Sequence, residues 1–392
     1  MTALADTWGA NTAQFWLRGQ RPDHEVAYDE KTGMWDVHGY PEILHALSDP
    51  ATFSSHTQRL VPEASGFSEG NLTQLDPPDH HKLRKLVSHA FTPKVVADLE
   101  PRIAELTTEL MDGMGSRAEL VAELAYPLPV IVIAELLGVP SSDRDQFKRW
   151  VDGMFNSTNK VALKDRSPEE EQYFADAMEQ VGELASYLAG HIRERRERPR
   201  ADLLTKLVEA EVDGVRLTDA EIANFGMVLL VAGHITTTML LGNTLLCLDA
   251  HPDQFQTVRA DRSLVPAAIE ESLRFLSPFA AVSRVTTEET ELGGVRIPAD
   301  QMLLLWIAAA NRDPRQFADP DVFDVTRDPN PQLGFGRGIH FCLGAPLARL
   351  EGRVALNLLL DRFPQLRTDP DDAPRFMPSP NMTGLSRLPL LL

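Results

Sequence analysis

Phe335-Gly336-Arg337-Gly338-Ile339-His340-Phe341-Cys342-Leu343-Gly344 sets one cysteine among closely spaced glycines, directly ahead of a helical pattern that runs to about Arg362. Glycine admits left-handed backbone angles and lets a main chain approach a flat ligand closely. A cysteine at a helix N-terminus feels the positive end of the dipole and the unpaired amides there, which favours its thiolate. Cys342 therefore reads either as a metal ligand or as an inert buried thiol, and the glycine pattern with the helix start favours the ligand. Zinc would need further cysteines or a close histidine pair, which the neighbourhood lacks, whereas a haem iron takes a single protein thiolate. A phosphate-binding loop is disfavoured, because neither the Walker lysine nor the Rossmann spacing is present.

Around this stretch lie 392 residues, 43% hydrophobic and 24% charged, the composition of a globular chain able to bury a sizeable core. Acidic side chains outnumber basic ones 57 to 38, and the formal charge of -19 opposes unspecific binding to nucleic acid or to an anionic membrane. Two cysteines far apart, Cys247 and Cys342, exclude a disulfide framework and point to a reducing compartment. The opening MTALADTWGANTAQFWLRG lacks the basic start, apolar centre and cleavage site of a secretory signal, so a cytoplasmic protein is expected. The apolar stretch over 222–248 is broken by Asn224, His234, three threonines and Asn243, which predicts a helix buried in a soluble core rather than a membrane span.

Helical periodicity dominates the chain. It predicts a hairpin over 25–28 and 34–38, then helices over 40–47, 93–110, 120–137, 142–155, 168–197 and 264–276, with another opening at Asp76-Pro77-Pro78. A long helix over 218–249 begins with a capping box, Thr218 and Glu221. Short strands are expected over 282–287, 293–297, 302–306 and 385–391. The stretches 54–75 and 311–338 lack periodicity, and the second is too long to be structureless unless something pins it. With no repeat and no low-complexity linker, residues 1–392 read as one domain.

Three further constellations stand out. Leu229-Leu230-Val231-Ala232-Gly233-His234-Ile235-Thr236-Thr237-Thr238 places three threonines and a glycine inside a helix, a choice that costs about 1 kcal/mol for the glycine alone. The hydroxyls either bond back to the preceding turn or serve a site. Glu271 and Arg274, spaced i and i+3, read on physical grounds as a helix-surface pair worth a few tenths of a kcal/mol. His80 and Arg84 share a helix face and can together grip a carboxylate.

In order and spacing these motifs resemble the cytochrome P450 haem-thiolate monooxygenases, in particular their soluble bacterial members, and the resemblance spans nearly the whole chain. It implies a mainly α fold, one large helical domain with a few small β-sheets around a buried haem b. Phe335 to Gly344 matches the family's cysteine signature, which implies that Cys342 is the axial ligand of the haem iron, with Phe335, Gly336, Gly338 and Gly344 around the cofactor. Glu271-Ser272-Leu273-Arg274 matches the family's Glu-x-x-Arg motif, and Arg327 looks like its third member. Asp76 to Arg84 resembles the entry to the helix carrying His-x-x-x-Arg, which implies that His80 and Arg84 hold a haem propionate together with Arg284 and His340. The same resemblance makes Ala232 and Gly233 an oxygen-binding groove, with Thr236 and Thr237 as catalytic hydroxyls. One departure matters: the family usually carries an acid just before the groove threonine, and here Ile235 stands there, which cannot relay a proton.

The activity implied is insertion of one oxygen atom from O2 into a C–H bond or an alkene of a bulky, largely apolar small molecule such as a polyketide, macrolide or other secondary metabolite. By family analogy the pocket takes in Leu229, Ala280, Ala281, Val282, Met382 and Thr383, roofed by 54–75 and 142–197. No flavin or iron–sulfur segment is visible, so electrons are expected from a ferredoxin and its NAD(P)H-dependent reductase. They would dock on a basic face made by Lys82, Arg84, Lys85, Arg337, Arg349 and Arg353, and no nucleic-acid or membrane partner is expected. Two rival readings are a haem-thiolate enzyme using peroxide or one-electron coupling, and a noncatalytic haem sensor; the groove threonine argues for catalysis.

Overall fold

A computed structural model of the chain describes residues 5–61, 70–155, 162–163, 166–212 and 214–392. Its α-helices are α1 Tyr40–Ser48, α2 Asp79–Ala90, α3 Pro93–Ala97, α4 Glu100–Asp112, α5 Pro127–Leu137, α6 Arg144–Phe155 and α7 Pro168–Glu197. They continue as α8 Leu203–Glu209, α9 Asp219–Ala250, α10 Pro252–Ala260, α11 Val265–Phe275, α12 Ile307–Ala310 and α13 Ala345–Arg362.

α9 is the axis of the molecule. Its capping box forms as expected, with Thr218 accepting the Glu221 amide and Glu221 accepting the Thr218 amide. Beyond the first turn it is buried on nearly every side and mostly apolar, the mark of a helix enclosed by others. α5, α7, α8, α10, α11 and α13 all pack against it. It is the one helix among the described residues long and apolar enough to cross a membrane, and 67% of its most apolar window is buried inside the protein.

A five-stranded sheet flanks the helices in the order Val26–Asp29, Met34–Val37, Met302–Leu305, Val282–Thr286, Phe53–Ser54. Only the Met34–Val37 and Met302–Leu305 pair is parallel. Val37, Ile43, Phe53, Leu303, Leu305 and Phe317 close a second apolar cluster between this sheet and α1. The sheet carries Arg284 to the edge of the helical body, with Phe53–Ser54 alongside.

Several expected boundaries shift. The helix over 93–110 is two, α3 and α4, parted at Asp98 and Leu99 where Pro101 opens the second. The helix over 120–137 begins as a π-turn, Val121–Ala125, before Pro127 starts α5. Helices α8 and α10 were not expected, and 385–391 divides into Leu385–Arg387 and Pro389–Leu391, which join different sheets.

The long irregular stretch after α12 is pinned by a buried charge pair. Glu271 and Arg274 are each 0% exposed, so they are not the helix-surface pair that spacing alone suggests. Glu271 accepts Arg274 Nε at 2.8 Å and Nη2 at 2.7 Å, Arg327 Nε at 3.2 Å, Asn330 Nδ2 at 3.1 Å and the Asp324 amide at 3.0 Å. Arg274 directs its other N–H groups to the carbonyls of Asn311 at 2.9 Å, Pro320 at 2.8 Å and Val322 at 2.9 Å. One ion pair thereby satisfies main-chain groups scattered along a segment that has no ladder of its own. Removing the carboxylate in Glu271→Ala leaves Arg274 buried without its counter-charge, and chemical denaturation is expected to report a loss of about 3–5 kcal/mol. A loss below about 1 kcal/mol, the scale of an exposed pair, contradicts this assignment.

Candidate active site

The cysteine segment is a folded loop rather than a simple approach to a helix. Gly336 and Gly338 both have φ of 69°, the left-handed region. A Cβ on Gly338 would strike the Leu47 carbonyl at the end of α1, so glycine is required there for fit as well as for angle. Gly344 differs from the expectation for this group: it lies at φ -81° in the right-handed region, and a Cβ there would make ordinary contact with Cys342 Sγ at 3.9 Å. The Cys342 amide donates to the Phe335 carbonyl at 2.9 Å and closes the loop. Phe335 lies 6.3 Å from the Phe341 ring, and the Arg349 guanidinium covers it at 4.5 Å.

Burial pushes the Cys342 thiol up, while the Gly344 and Ala345 amides and the charges of Arg84 and Arg349 pull it down. The helix-terminus effect is thus present, but burial outweighs it, which corrects the expectation of a favoured thiolate. A metal cation reverses that balance, because a coordinating thiol is deprotonated outright.

On one side of this loop cationic and neutral donors outnumber the acids, of which Asp76 acts on both His80 and Arg284. His80 is 1% exposed, and neither ring nitrogen has a hydrogen-bond partner among the described residues. Its ring stands 4.4 Å from that of His340. Arg84 donates to the Phe341 carbonyl at 2.7 Å, tying α2 to the cysteine loop. Arg284 is buried, donates to the Ser283 carbonyl at 2.7 Å and has no carboxylate in ion-pair range among the described residues. Burial, Arg84 and His81 push His80 down to about 4, and burial, Arg284, His80 and Arg84 push His340 down to about 3. Burial also lowers Arg284 to about 10. Orphaned imidazole nitrogens beside the buried Arg284 and half-buried Arg84 guanidiniums fit a ligand that brings carboxylates, which is the edge a haem presents.

The centre of α9 carries the three threonines. All three threonines bond back along the helix, Thr236 to the Ala232 carbonyl at 2.6 Å, Thr237 to Gly233 at 2.9 Å and Thr238 to His234 at 2.9 Å. Ala232 and Thr236, four apart, share a half-buried face. Gly233 and Thr237 lie on a different stripe. A Cβ on Gly233 would meet the Ile133 side chain of α5 at 3.4 Å, and Thr237 is 3% exposed. Thr236 is thus half-buried, as are Ala232 and Gly233, whereas Thr237 is buried. His234 turns away: its Nδ1 lies 2.6 Å from the Leu230 carbonyl, and its ring meets Tyr126 edge-on at 5.8 Å.

Ile235 joins an apolar cluster with Val151 of α6, Met239 and Met382. Phe279, which bridges to Met382, packs against the same cluster. The expected pocket segments are knitted together here: Ala280 N donates to the Asn381 carbonyl at 2.8 Å and Thr383 N to Pro278 at 2.9 Å. Asn243 of α9 donates to the carbonyls of Leu276 at 2.9 Å and Thr383 at 2.8 Å. Ala280, Ala281 and Met382 are buried and Val282 half-buried, whereas Leu229 belongs to the main core two turns before Thr236. Of the expected roof, 62–69, 156–161 and 164–165 lie outside the described residues.

The proposed basic face is partly neutralised from within. Arg349 pairs with Glu270 at 2.6 Å and Arg353 with Glu100 at 2.7 Å. Arg84 is committed to Phe341, and Lys82 and Arg337 are exposed cations of this face.

One consequence of this burial is measurable away from the cysteine. Burial pushes His234 from the ordinary 6.5 down to about 4, so it stays neutral when folded and takes a proton once unfolded. Its contribution to stability is complete above pH 6.5 and is lost as the pH falls toward 4. The drop in Tm across this window should be smaller in His234→Gln than in the unsubstituted protein; equal drops contradict the assignment.

The sequence profile of the cytochrome P450 family matches residues 27–392. Cyclomarin C epoxidase CymV of Salinispora arenicola is 44% identical over 363 residues, covering 91% of this chain and 90% of the relative. Erythromycin C-12 hydroxylase of Saccharopolyspora erythraea is also 44% identical over 363 residues, covering 91% of this chain and 88% of the relative. In three dimensions the chain is similar to the crystal structure of HmtN, a post-tailoring hydroxylase involved in himastatin biosynthesis, with TM-score 0.86, 55% identity and coverage of 99% and 98% of the two chains. A family profile that spans all but the first residues, joined to relatives matched over nearly their full length, makes this chain a member of the cytochrome P450 family, a haem-iron monooxygenase.

Proposed function

We propose that the chain inserts one atom of O2 into a C–H bond, or across an alkene, of a bulky and largely apolar secondary metabolite, and that Cys342 would hold the iron of haem b. The observation that carries this reading is the placing of Cys342 by the Gly344 and Ala345 amides, beside buried His80 and Arg284 and half-buried Arg84 and His340, none of them in an ion pair among the described residues. The relatives named above act on cyclomarin C and erythromycin, and the pocket segments offer Ala280, Ala281, Val282 and Met382, with Thr383 the lone hydroxyl among them. Both points support a large apolar substrate of the macrolide, polyketide or modified-peptide kind. Residues 1–392 act as one domain in the cytoplasm.

Bound haem supplies the iron chemistry that activates oxygen. Cys342 provides the electron-rich ligand, steadied by two amides, while Glu271, Arg274 and Arg327 keep the preceding segment in place. His80, Arg84, Arg284 and His340 hold the propionates. Thr236 provides the half-buried hydroxyl of α9, and Ala232 leaves room beside it. Ile235 holds no proton, so protons reach this face through Thr236, ordered water or a hydroxyl of the substrate. Electrons arrive from a ferredoxin served by an NAD(P)H-dependent reductase. With Arg349 and Arg353 already paired, Lys82 and Arg337 carry the attraction toward that acidic partner, and it is screened by salt.

Turnover with ferredoxin, reductase and labelled O2 should place one labelled oxygen in each product molecule. A product without label favours one-electron coupling and contradicts insertion. Thr236→Ala should lower the coupling of reductant to product by about 10-fold or more. Ile235→Glu should leave that coupling unchanged or reduce it, and a large gain would show that a carboxylate route is what the site lacks.

A further inference from the structure

We propose that Ser55 is a positioning residue for the cofactor's carboxylate edge, orienting His340 for that contact while fastening the start of the distal roof to it. The inference rests on the reading of His340 as a propionate contact. Strand Phe53–Ser54 pairs with Val282–Thr286 so that Ser54 faces Val285, and one further step in that register sets Ser55 opposite Arg284. Asp76, immediately ahead of α2, accepts Ser54 Oγ at 2.5 Å and the Ser55 amide at 2.9 Å, and its main-chain carbonyl accepts the His80 amide at 2.9 Å. Ser55 is 1% exposed, and its Oγ lies 2.8 Å from His340 Nε2. Asp76 therefore holds in one place the first turn of the roof and the helix that carries His80 and Arg84.

The hydroxyl decides what His340 can do. In a neutral imidazole one nitrogen donates and the other accepts. When Ser55 donates to Nε2, the ring proton sits on Nδ1, and the ring can offer an N–H to a carboxylate; a partner on the second nitrogen sets orientation and tautomer in this way at many ligand sites. The same serine leads into the turn Thr57–Arg59, where Thr57 donates to Gln74 Oε1 at 2.7 Å and clips the roof's two ends together. Because one hydroxyl serves both sides, holding the cofactor and ordering 55–61 are thermodynamically linked, and each must favour the other.

The test uses the haem-loaded protein. Haem transfer to excess apomyoglobin should be about 3- to 10-fold faster from Ser55→Ala, the worth of one neutral hydrogen bond, and near the unsubstituted rate in Ser55→Thr, which keeps the hydroxyl. Hydrogen exchange of 55–61 should rise in Ser55→Ala and return in Ser55→Thr. The reduced, carbon monoxide-treated absorption band should keep its position in all three proteins, since Cys342 is untouched. Equal transfer rates for the serine and alanine proteins overturn the inference, as does an acceleration that threonine does not reverse. An unsubstituted protein without a thiolate-type haem band would overturn the proposed function itself, and this inference with it.

Discussion

The ion pair of Glu271 and Arg274 is buried in full, and two charges removed from water persist only when every remaining lone pair and proton finds a partner. Those partners come from the long segment after α12, at Asn311, Pro320, Val322, Asp324, Arg327 and Asn330. A stretch with almost no secondary structure is thereby given a fixed course, and the cysteine loop is its continuation. Asn311 extends the hold, its side-chain oxygen accepting the Leu333 amide at 2.8 Å two residues before Phe335. The position of Cys342 depends on this buried pair as much as on the glycines beside it.

The site that results has a charge imbalance with one chemical resolution. Arg84, Arg284, His80 and His340 crowd the side of the cysteine loop, and among the described residues Arg284 has no carboxylate in ion-pair range and the His80 ring no hydrogen-bond partner, with Asp76 the acid whose charge reaches both. In a stable fold such a surplus is retained for an anionic ligand. The opposite face departs in the other direction. Where an acid is usual on α9, Ile235 packs with Val151, Met239 and Met382, so helix α6 and the 381–384 turn meet α9 through an apolar contact. The cationic side chains thus gather beside the cysteine loop, and an apolar face lies where Ile235 stands.

Much of this was legible in the sequence, for reasons that differ by residue. The glycines at 336 and 338, the cysteine and the following helix form a local pattern whose geometry follows from backbone angles alone. The capping box of Thr218 with Glu221 is equally local. The break between α3 and α4, the π-turn before α5 and the existence of α8 depend on packing that no periodicity records. Gly344 and Gly233 looked like their neighbours yet serve as a helix cap and a contact with α5, because a glycine's letter does not say which neighbour it approaches. Thr237 was indistinguishable from Thr236 until the helix phase was set against its surroundings. The basic face was read from charge alone, and Glu270 and Glu100, distant in sequence, neutralise half of what Arg349 and Arg353 promised. Ser55 carried no signal, since a serine joined to a histidine across the fold has no spacing to betray it.

The most direct measurement is the reduced, carbon monoxide-treated absorption spectrum of the purified protein beside that of Cys342→Ala. A strongly red-shifted thiolate-type Soret band in the first and its loss in the second is the predicted result. A band that survives the substitution would keep the haem and remove Cys342 as its ligand, contradicting the account at its centre.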